Sequence, residues 1–317
     1  MPFLTVMSES PQSYHLPVLL SEVSKYLITN PEGIYVDGTL GGGGHAEELL
    51  TKLNKNAQYI GIDQDKEAIQ YSKKRLKGFK NVIYYQSNFA DLDLVLNQLK
   101  IKTIDGIILD LGVSSYQIDT DDRGFSYMKN TDLDMRMDRD KSQTAGDLLN
   151  VLDERELNTI FYTYGEERRA RQIAREVVKY RKQQQILRSD QLRDIIDRVV
   201  YHRFRIKSYA RIFQALRIAV NRELDSLEEA LEKTIKFLHQ GGRCLVISYH
   251  SLEDRIVKNF FRKKANPCTC PPEFPKCICG LKPDIKRITL KAIKASEQEI
   301  NENPRARSAH LRVGEKI

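Results

Sequence analysis

Cysteine is scarce, with five in 317 residues. That is too few for a disulfide framework in a chain this long and points to a reducing compartment. Long apolar runs are missing too. No stretch reaches the roughly 18 apolar residues that a membrane span needs, and residues 1–15 lack the basic-then-apolar pattern of a secretion signal. Secretion and membrane spanning are set aside, and a cytoplasmic protein is expected. There is no internal repeat and no low-complexity tract. Hydrophobic residues make up 41% and charged residues 30%, which fits a folded soluble protein and argues against wholesale disorder. The length exceeds the usual single-domain size, so two domains are expected.

The chain carries a formal charge of +8, which suggests a polyanionic partner. Its location says more than its total. Between Ile160 and Arg211 stand 14 Lys/Arg against 6 Asp/Glu, a surplus equal to that of the whole chain. Solvated helix faces and a nucleic-acid-facing surface both explain such a stretch.

The first third alternates strand and helix patterns. Apolar runs at 34–36, 59–62, 82–85 and 104–109 read as strands, and 46–53, 66–76 and 92–99 as helices. That spacing implies a parallel sheet covered by helices. Residues 113–140 read as loop, rich in Asp. From Ala145 to about Val200 the period is helical throughout. A helix over 222–238 stopping at Gly241-Gly242, a strand at 243–248, and two late runs at 285–290 and 310–313 complete the pattern, the last two as an antiparallel pair. The expected fold is α/β and Rossmann-like, with residues 1–114 and 214–317 forming one domain and 115–213 an inserted all-helical domain.

The strongest chemical signal follows the first strand: Asp37-Gly38-Thr39-Leu40-Gly41-Gly42-Gly43-Gly44. Successive glycines between strand and helix let backbone approach a ligand closely, because no Cβ intrudes. The segment also satisfies a dinucleotide fingerprint as Gly41-x-Gly43-x-x-Ala46, with Asp63 22 residues after Gly41. Asp37 separates the options. A carboxylate in the turn repels a pyrophosphate but can receive the ammonium of an aminoacyl cofactor such as S-adenosylmethionine. Asp63 can accept hydrogen bonds from two ribose hydroxyls in either case. Asp37, Asp63 and Asp110, each at a strand end, are expected to converge on one crevice.

Further segments carry a resemblance: Gly38 to His45, Leu109 to Ser115, Arg123 to Ser126, Leu133 to Met137, Tyr164 to Glu167, Phe213 to Arg217, His250 to Arg255 and Asn303 to Ser308. In this order, from His15 nearly to the C-terminus, they resemble the motifs of the RsmH/MraW family, S-adenosylmethionine-dependent methyltransferases of a cytosine N4 amino group in small-subunit (16S) ribosomal RNA. The resemblance implies that Gly43, Gly44, His45, Asp63, Phe89, Asp110 and Gln117 contact the cofactor. Phe89, just after the third strand, is placed to pack on the adenine face. It also implies small-subunit ribosomal RNA as partner, and the large basic region suits a ribosomal particle better than one isolated base.

Methylating an exocyclic amine is a displacement at a sulfonium methyl, aided by positioning and by an acceptor for the amine proton. Amino-methylating enzymes often carry Asp/Asn-Pro-Pro-aromatic after the fourth strand; here Asp110-Leu111-Gly112-Val113 keeps only the carboxylate. Asp110 and His250 are the catalytic candidates, with helix capping as the alternative for His250. Tyr249 is a candidate to stack on an extruded base. Arg123 and Arg136, in the Asp-rich loop, are candidates for RNA backbone contact. Cys268, Cys270, Cys277 and Cys279 gather four thiols in 12 residues, either as a tetrahedral metal site or as reduced structural thiols; their Cys-x-Cys spacing is less common for zinc than Cys-x2-Cys.

Overall fold

The computed structural model describes residues 17–114, 117, 120–271 and 278–317. Among the described residues the first element is a helix with no counterpart in the sequence expectations, α1 (Leu20–Leu27). It is followed by β1 (Ile34–Asp37), α2 (Gly44–Lys52), β2 (Gln58–Asp63), α3 (Lys66–Arg75), β3 (Val82–Gln86), α4 (Leu92–Gln98) and β4 (Ile104–Asp110). The helical stretch then runs as α5 (Ala145–Val151), α6 (Glu154–Thr163), α7 (Ala170–Arg181), α8 (Ser189–Val199) and α9 (Arg205–Asn221). The chain returns through α10 (Glu223–Phe237), β5 (Leu238–Ser248), α11 (Ser251–Ala265), β6 (Ile285–Arg287), α12 (Glu297–Glu302) and β7 (His310–Lys316).

The described strands form a seven-stranded sheet in the order β3-β2-β1-β4-β5-β7-β6. β1 to β5 are mutually parallel, whereas β7 runs antiparallel to β5 and to β6. Alternation along β4 shows why each face is covered. Ile107 and Leu109 join Val36, Ile60 and Val246 beneath α4, α10 and α11, while Ile108 joins Tyr35, Tyr59 and Leu245 beneath α1 and α2. β5 starts five residues earlier than its apolar run, at Leu238, and carries the Gly241-Gly242 pair within the strand. A Cβ on Gly242 would stand 3.1 Å from the carbonyl oxygens of Ile104 and Asp105, so the close approach to β4 needs glycine there.

A third core belongs to the helical stretch. Leu149, Leu157, Phe161, Ile173, Val177, Leu192 and Ile196 pack with Ile212 and Leu216. Phe125, Leu133, Met135 and Met137 from the Asp-rich loop complete it, so that loop is a structural wall. α9 runs unbroken through residue 213, and Val220 still packs in the helical core. The boundary expected at 213 therefore falls inside a helix; the chain turns at Arg222, in the left-handed region (φ 53°) between α9 and α10. Among the described residues no helix is long and apolar enough to cross a membrane.

The sheet order reverses between β1 and β4. Such a reversal opens a crevice at the carboxyl ends of the strands, the usual ligand position in doubly wound folds.

Candidate active site

That crevice is a cavity of about 370 Å³ walled by the glycine loop, Asp63, Phe89, Asp110, Gln117 and Tyr249. The volume is in the range of small-molecule sites. Backbone geometry builds its floor. Gly41 adopts φ 51° and Gly43 φ 75°, turning the chain sharply from β1 into α2. Leu40 N–H donates to the Ile62 carbonyl at 3.0 Å, and Ser72 Oγ donates to the Gly41 carbonyl at 2.6 Å.

Asp63 fastens the same loop. Its Oδ2 accepts from Gly41 N at 2.8 Å and its Oδ1 from Asp65 N at 2.8 Å, while burial pushes the carboxyl up to about 6. Asp63 thus lines the cavity and also holds its floor, a second task beyond the expected one. Asp110, at the end of β4, is pushed up to about 7 by burial. Tyr249 Oη donates to its Oδ1 at 2.8 Å, and Asp110 N donates to Thr39 Oγ1 at 2.6 Å. His45 is buried; its Nε2–H donates to the Val18 carbonyl at 2.9 Å, leaving Nδ1 3.7 Å from Asp110 Oδ2. Burial holds the ring below the usual histidine range, so it faces Asp110 as a neutral imidazole. Gln117 is pinned by Nε2 to Asp65 Oδ2 at 2.9 Å.

These surroundings suit an adenosyl-type ligand: a flat aromatic wall at Phe89, a carboxylate at a strand end, and close backbone at Gly41, Gly42 and Gly44. A model of the MraW methylase family matches residues 12–317. The chain belongs to that family. It is 50% identical over 304 residues to the ribosomal RNA small subunit methyltransferase H of Caldicellulosiruptor saccharolyticus, covering 96% of this chain and 99% of the other. It is 48% identical over 305 residues to the protein of that name from Clostridium botulinum, with the same coverage. A crystal structure described as a putative rRNA-methylase from Clostridium thermocellum superposes with a TM-score of 0.44 at 11% identity, covering 94% of this chain and 95% of the other. The sheet order, parallel from β3 to β5 with an antiparallel β7, together with the family match, gives the methylase a Rossmann-like methyltransferase fold with a helical stretch inserted after β4.

Several residues of the methylase stand differently from expectation. Asp37 does not face the cavity: it is 2% exposed, accepting from Thr39 N at 3.1 Å and from Tyr59 Oη at 3.1 Å. Burial pushes it up to about 6, and its argument against dinucleotides lapses with its position. Gly43 also stays out of the cavity wall; a Cβ there would press on Leu76 and Ser72 at 3.3 and 3.4 Å, so it serves the packing of α3. Arg123 is 1% exposed and its guanidinium binds Asp65 at 2.7 Å and Glu67 at 2.9 Å, with no surface for RNA. Arg136 is likewise engaged, forking onto both oxygens of Asp134 and donating to the carbonyls of Arg139 and Lys141. His250 is the N-cap of α11: Nδ1 accepts from Glu253 N at 3.4 Å, and Nε2 lies 3.1 Å from Glu253 Oε1. It lies outside the main cavity, in an open hollow with Asp254, Arg255, Lys258, Ser308 and His310.

The thiols of Cys268, Cys270 and Cys279 come together; Cys277 lies outside the described residues. Sequence reasoning missed the Arg217–Glu223 pair, a bidentate contact of 2.9 and 3.0 Å on the cavity wall. Arg217 closes one of the quoted motifs, yet its partner lies six residues on, beyond a helix break.

Proposed function

We propose that this methylase transfers a methyl group from S-adenosylmethionine to the N4 amino group of a cytosine in small-subunit ribosomal RNA, acting in the cytoplasm on a ribosomal particle. S-adenosylmethionine is the cofactor; when bound, it supplies an electrophilic methyl on a sulfonium. Gly44, His45, Asp63, Phe89 and Gln117 are the residues that would hold it, Asp63 at the ribose hydroxyls and Phe89 on the adenine face. The observation that carries the reading is Asp110, a carboxyl on the cavity wall at the end of β4, pushed up to about 7 by burial and oriented by Tyr249.

Cytosine N4 is conjugated with its ring and poorly nucleophilic. An ionised Asp110 accepting one N–H would localise the lone pair and take the proton after transfer, and a pKa near neutrality suits that exchange. Tyr249, whose ring borders both the cavity and the hollow of His250 and Lys258, stands where an extruded base would enter. Its hydroxyl is committed to Asp110, so its part is to position that carboxyl as well as to offer a face for stacking.

The helical stretch is the proposed RNA grip. Arg168 and Arg171 are exposed, and Arg203 stacks on Phe204 and Tyr201, with ring centroids 4.6 and 5.7 Å away. Tyr201 is 66% exposed and Phe204 44%, a cationic–aromatic pair of the kind that stacks unpaired bases. The test is methyl transfer from isotope-labelled cofactor to purified small subunits and to a protein-free oligonucleotide of the same sequence. Label in ribosomal RNA of the particle is expected. Equal labelling of the oligonucleotide would remove the particle from the proposal, and no labelling of either would remove the RNA.

A further inference from the structure

Among its described residues, the loop joining α11 to β6 lacks the usual reasons for order. None of its described residues, 266–271 and 278–284, is buried, and its large apolar side chains stand in solvent, Ile278 at 74% and Leu281 at 51%. Long connections without secondary structure are commonly functional or unordered. This one is closed at its base, where Asp284 N donates to the Lys264 carbonyl at 3.0 Å. Within it three thiols nonetheless converge: the sulfurs of Cys268, Cys270 and Cys279 lie within 4.8 Å of one another.

We propose that these three cysteines form a zinc site that ties the loop together. The separation supports a shared ion. Cys268 and Cys279 sulfurs are 3.9 Å apart. A tetrahedral zinc with bonds of about 2.3 Å sets its sulfurs about 3.8 Å apart, whereas a disulfide needs about 2.05 Å. Cys270 also accepts from Ile278 N at 3.3 Å, the backbone-to-sulfur bond that steadies a thiolate. Three thiolates leave one position of the tetrahedron for a further ligand, and the ion supplies folding energy that the loop's described side chains do not. The role is structural, since the described thiols line neither the cavity nor the hollow beside it.

The direct test is metal content of the full-length protein, purified under reducing conditions without an affinity tag that binds metal, alongside Cys268→Ser and Cys279→Ser. Stoichiometric zinc in the parent and its loss in both variants is expected. Because the cysteines stand on a surface loop, the variants should keep the parent's thermal transition for the sheet core. A second readout is cobalt added to the chelator-stripped protein. An intense thiolate-to-cobalt absorption that zinc displaces, absent in Cys279→Ser, is expected. Substoichiometric metal in the parent, or zinc content and cobalt absorption unchanged by the substitutions, would overturn the proposal. Methyl transfer is not a readout here, so its failure would not be confused with failure of the metal site.

Discussion

Replacing Arg123 by alanine should cost more stability than any change of a solvent-facing arginine in this protein. Its guanidinium is 1% exposed and bonds to Asp65, itself 3% exposed, and to the carbonyls of Arg136 and Met137 at 3.2 and 3.1 Å. Breaking a buried pair by removing one partner leaves an uncompensated charge, a cost of about 3–5 kcal/mol. The contact with Glu67 adds little, since that carboxylate is 42% exposed and water screens it to roughly 1 kcal/mol at most. A loss of about 4 kcal/mol is therefore expected, a large share of a typical domain's 5–15 kcal/mol. Urea unfolding of Arg123→Ala at pH 7.5 measures it, with the midpoint falling and the slope retained. The pair Asp65→Leu with Arg123→Met should recover part of the loss, because apolar replacement of both partners removes the stranded charge. Since Asp65 also holds Gln117 on the cavity wall, cofactor affinity should fall in Arg123→Ala as well. A stability loss below about 1 kcal/mol, together with a shallower salt dependence of RNA binding, would refute the reasoning and return Arg123 to the RNA surface.

Four further outcomes are expected. Asp37 titrates near 6 in the fold against 3.8 in the open chain, so its contribution to stability is fully present below pH 3.8 and is lost as pH rises through about 6. Asp37→Asn should accordingly gain up to about 3 kcal/mol at pH 8 and nothing at pH 4, read as melting temperatures at both pH values. Asp110→Asn should lower kcat by roughly 10²–10⁴-fold, and in the parent kcat/KM should rise with pH through about 7 as the carboxyl ionises; a flat profile would remove Asp110 as proton acceptor. Asp63→Ala should lose cofactor binding at roughly 1.5–3 kcal/mol for each charge-assisted bond, measured by calorimetry, with a lower melting temperature because Gly41 loses its acceptor. Reversing Arg168 and Arg171 should flatten the salt dependence of RNA binding by about 0.9 per lost duplex phosphate contact and leave the cofactor dissociation constant unchanged. Arg169 is kept out of that variant, since it donates to the Val199 carbonyl and bracing would be lost with it.

Some of this was legible before any coordinates, and the reasons are particular. The apolar runs of β1, β2 and β4 are bounded by glycine and acid, and period and punctuation together mark both the parallel sheet and the ends where Asp63 and Asp110 sit. Direction was not legible. Asp37 closes β1 just before the glycine turn, but that position does not say which way a carboxylate points, and Tyr59 from the neighbouring strand claims it. Arg123 misled for a related reason: an arginine among seven aspartates reads the same whether it meets phosphate or Asp65, 58 residues away. Glu166 and Glu167, which stand directly before Arg168 in the sequence, likewise meet distant partners. Glu166 bonds to Ser251 and Arg255, and Glu167 to Ser208 and Arg211. Helix continuity hid the boundary at 213, because α9 buries one face in the helical core along its whole length and nothing local marks a change. For His250, the Glu three positions on was the signature of a capping box, and the structure shows that box formed.

The most direct measurement is mass spectrometry of small-subunit ribosomal RNA nucleosides from cells with and without the gene, and with the Asp110→Asn gene in its place. The account predicts an N4-methylated cytidine that is present with the parent gene, lost without it, and not restored by the variant. An unchanged set of methylated cytidines in the deletion, or the loss of a methyl group from a different base or a different atom, would contradict it.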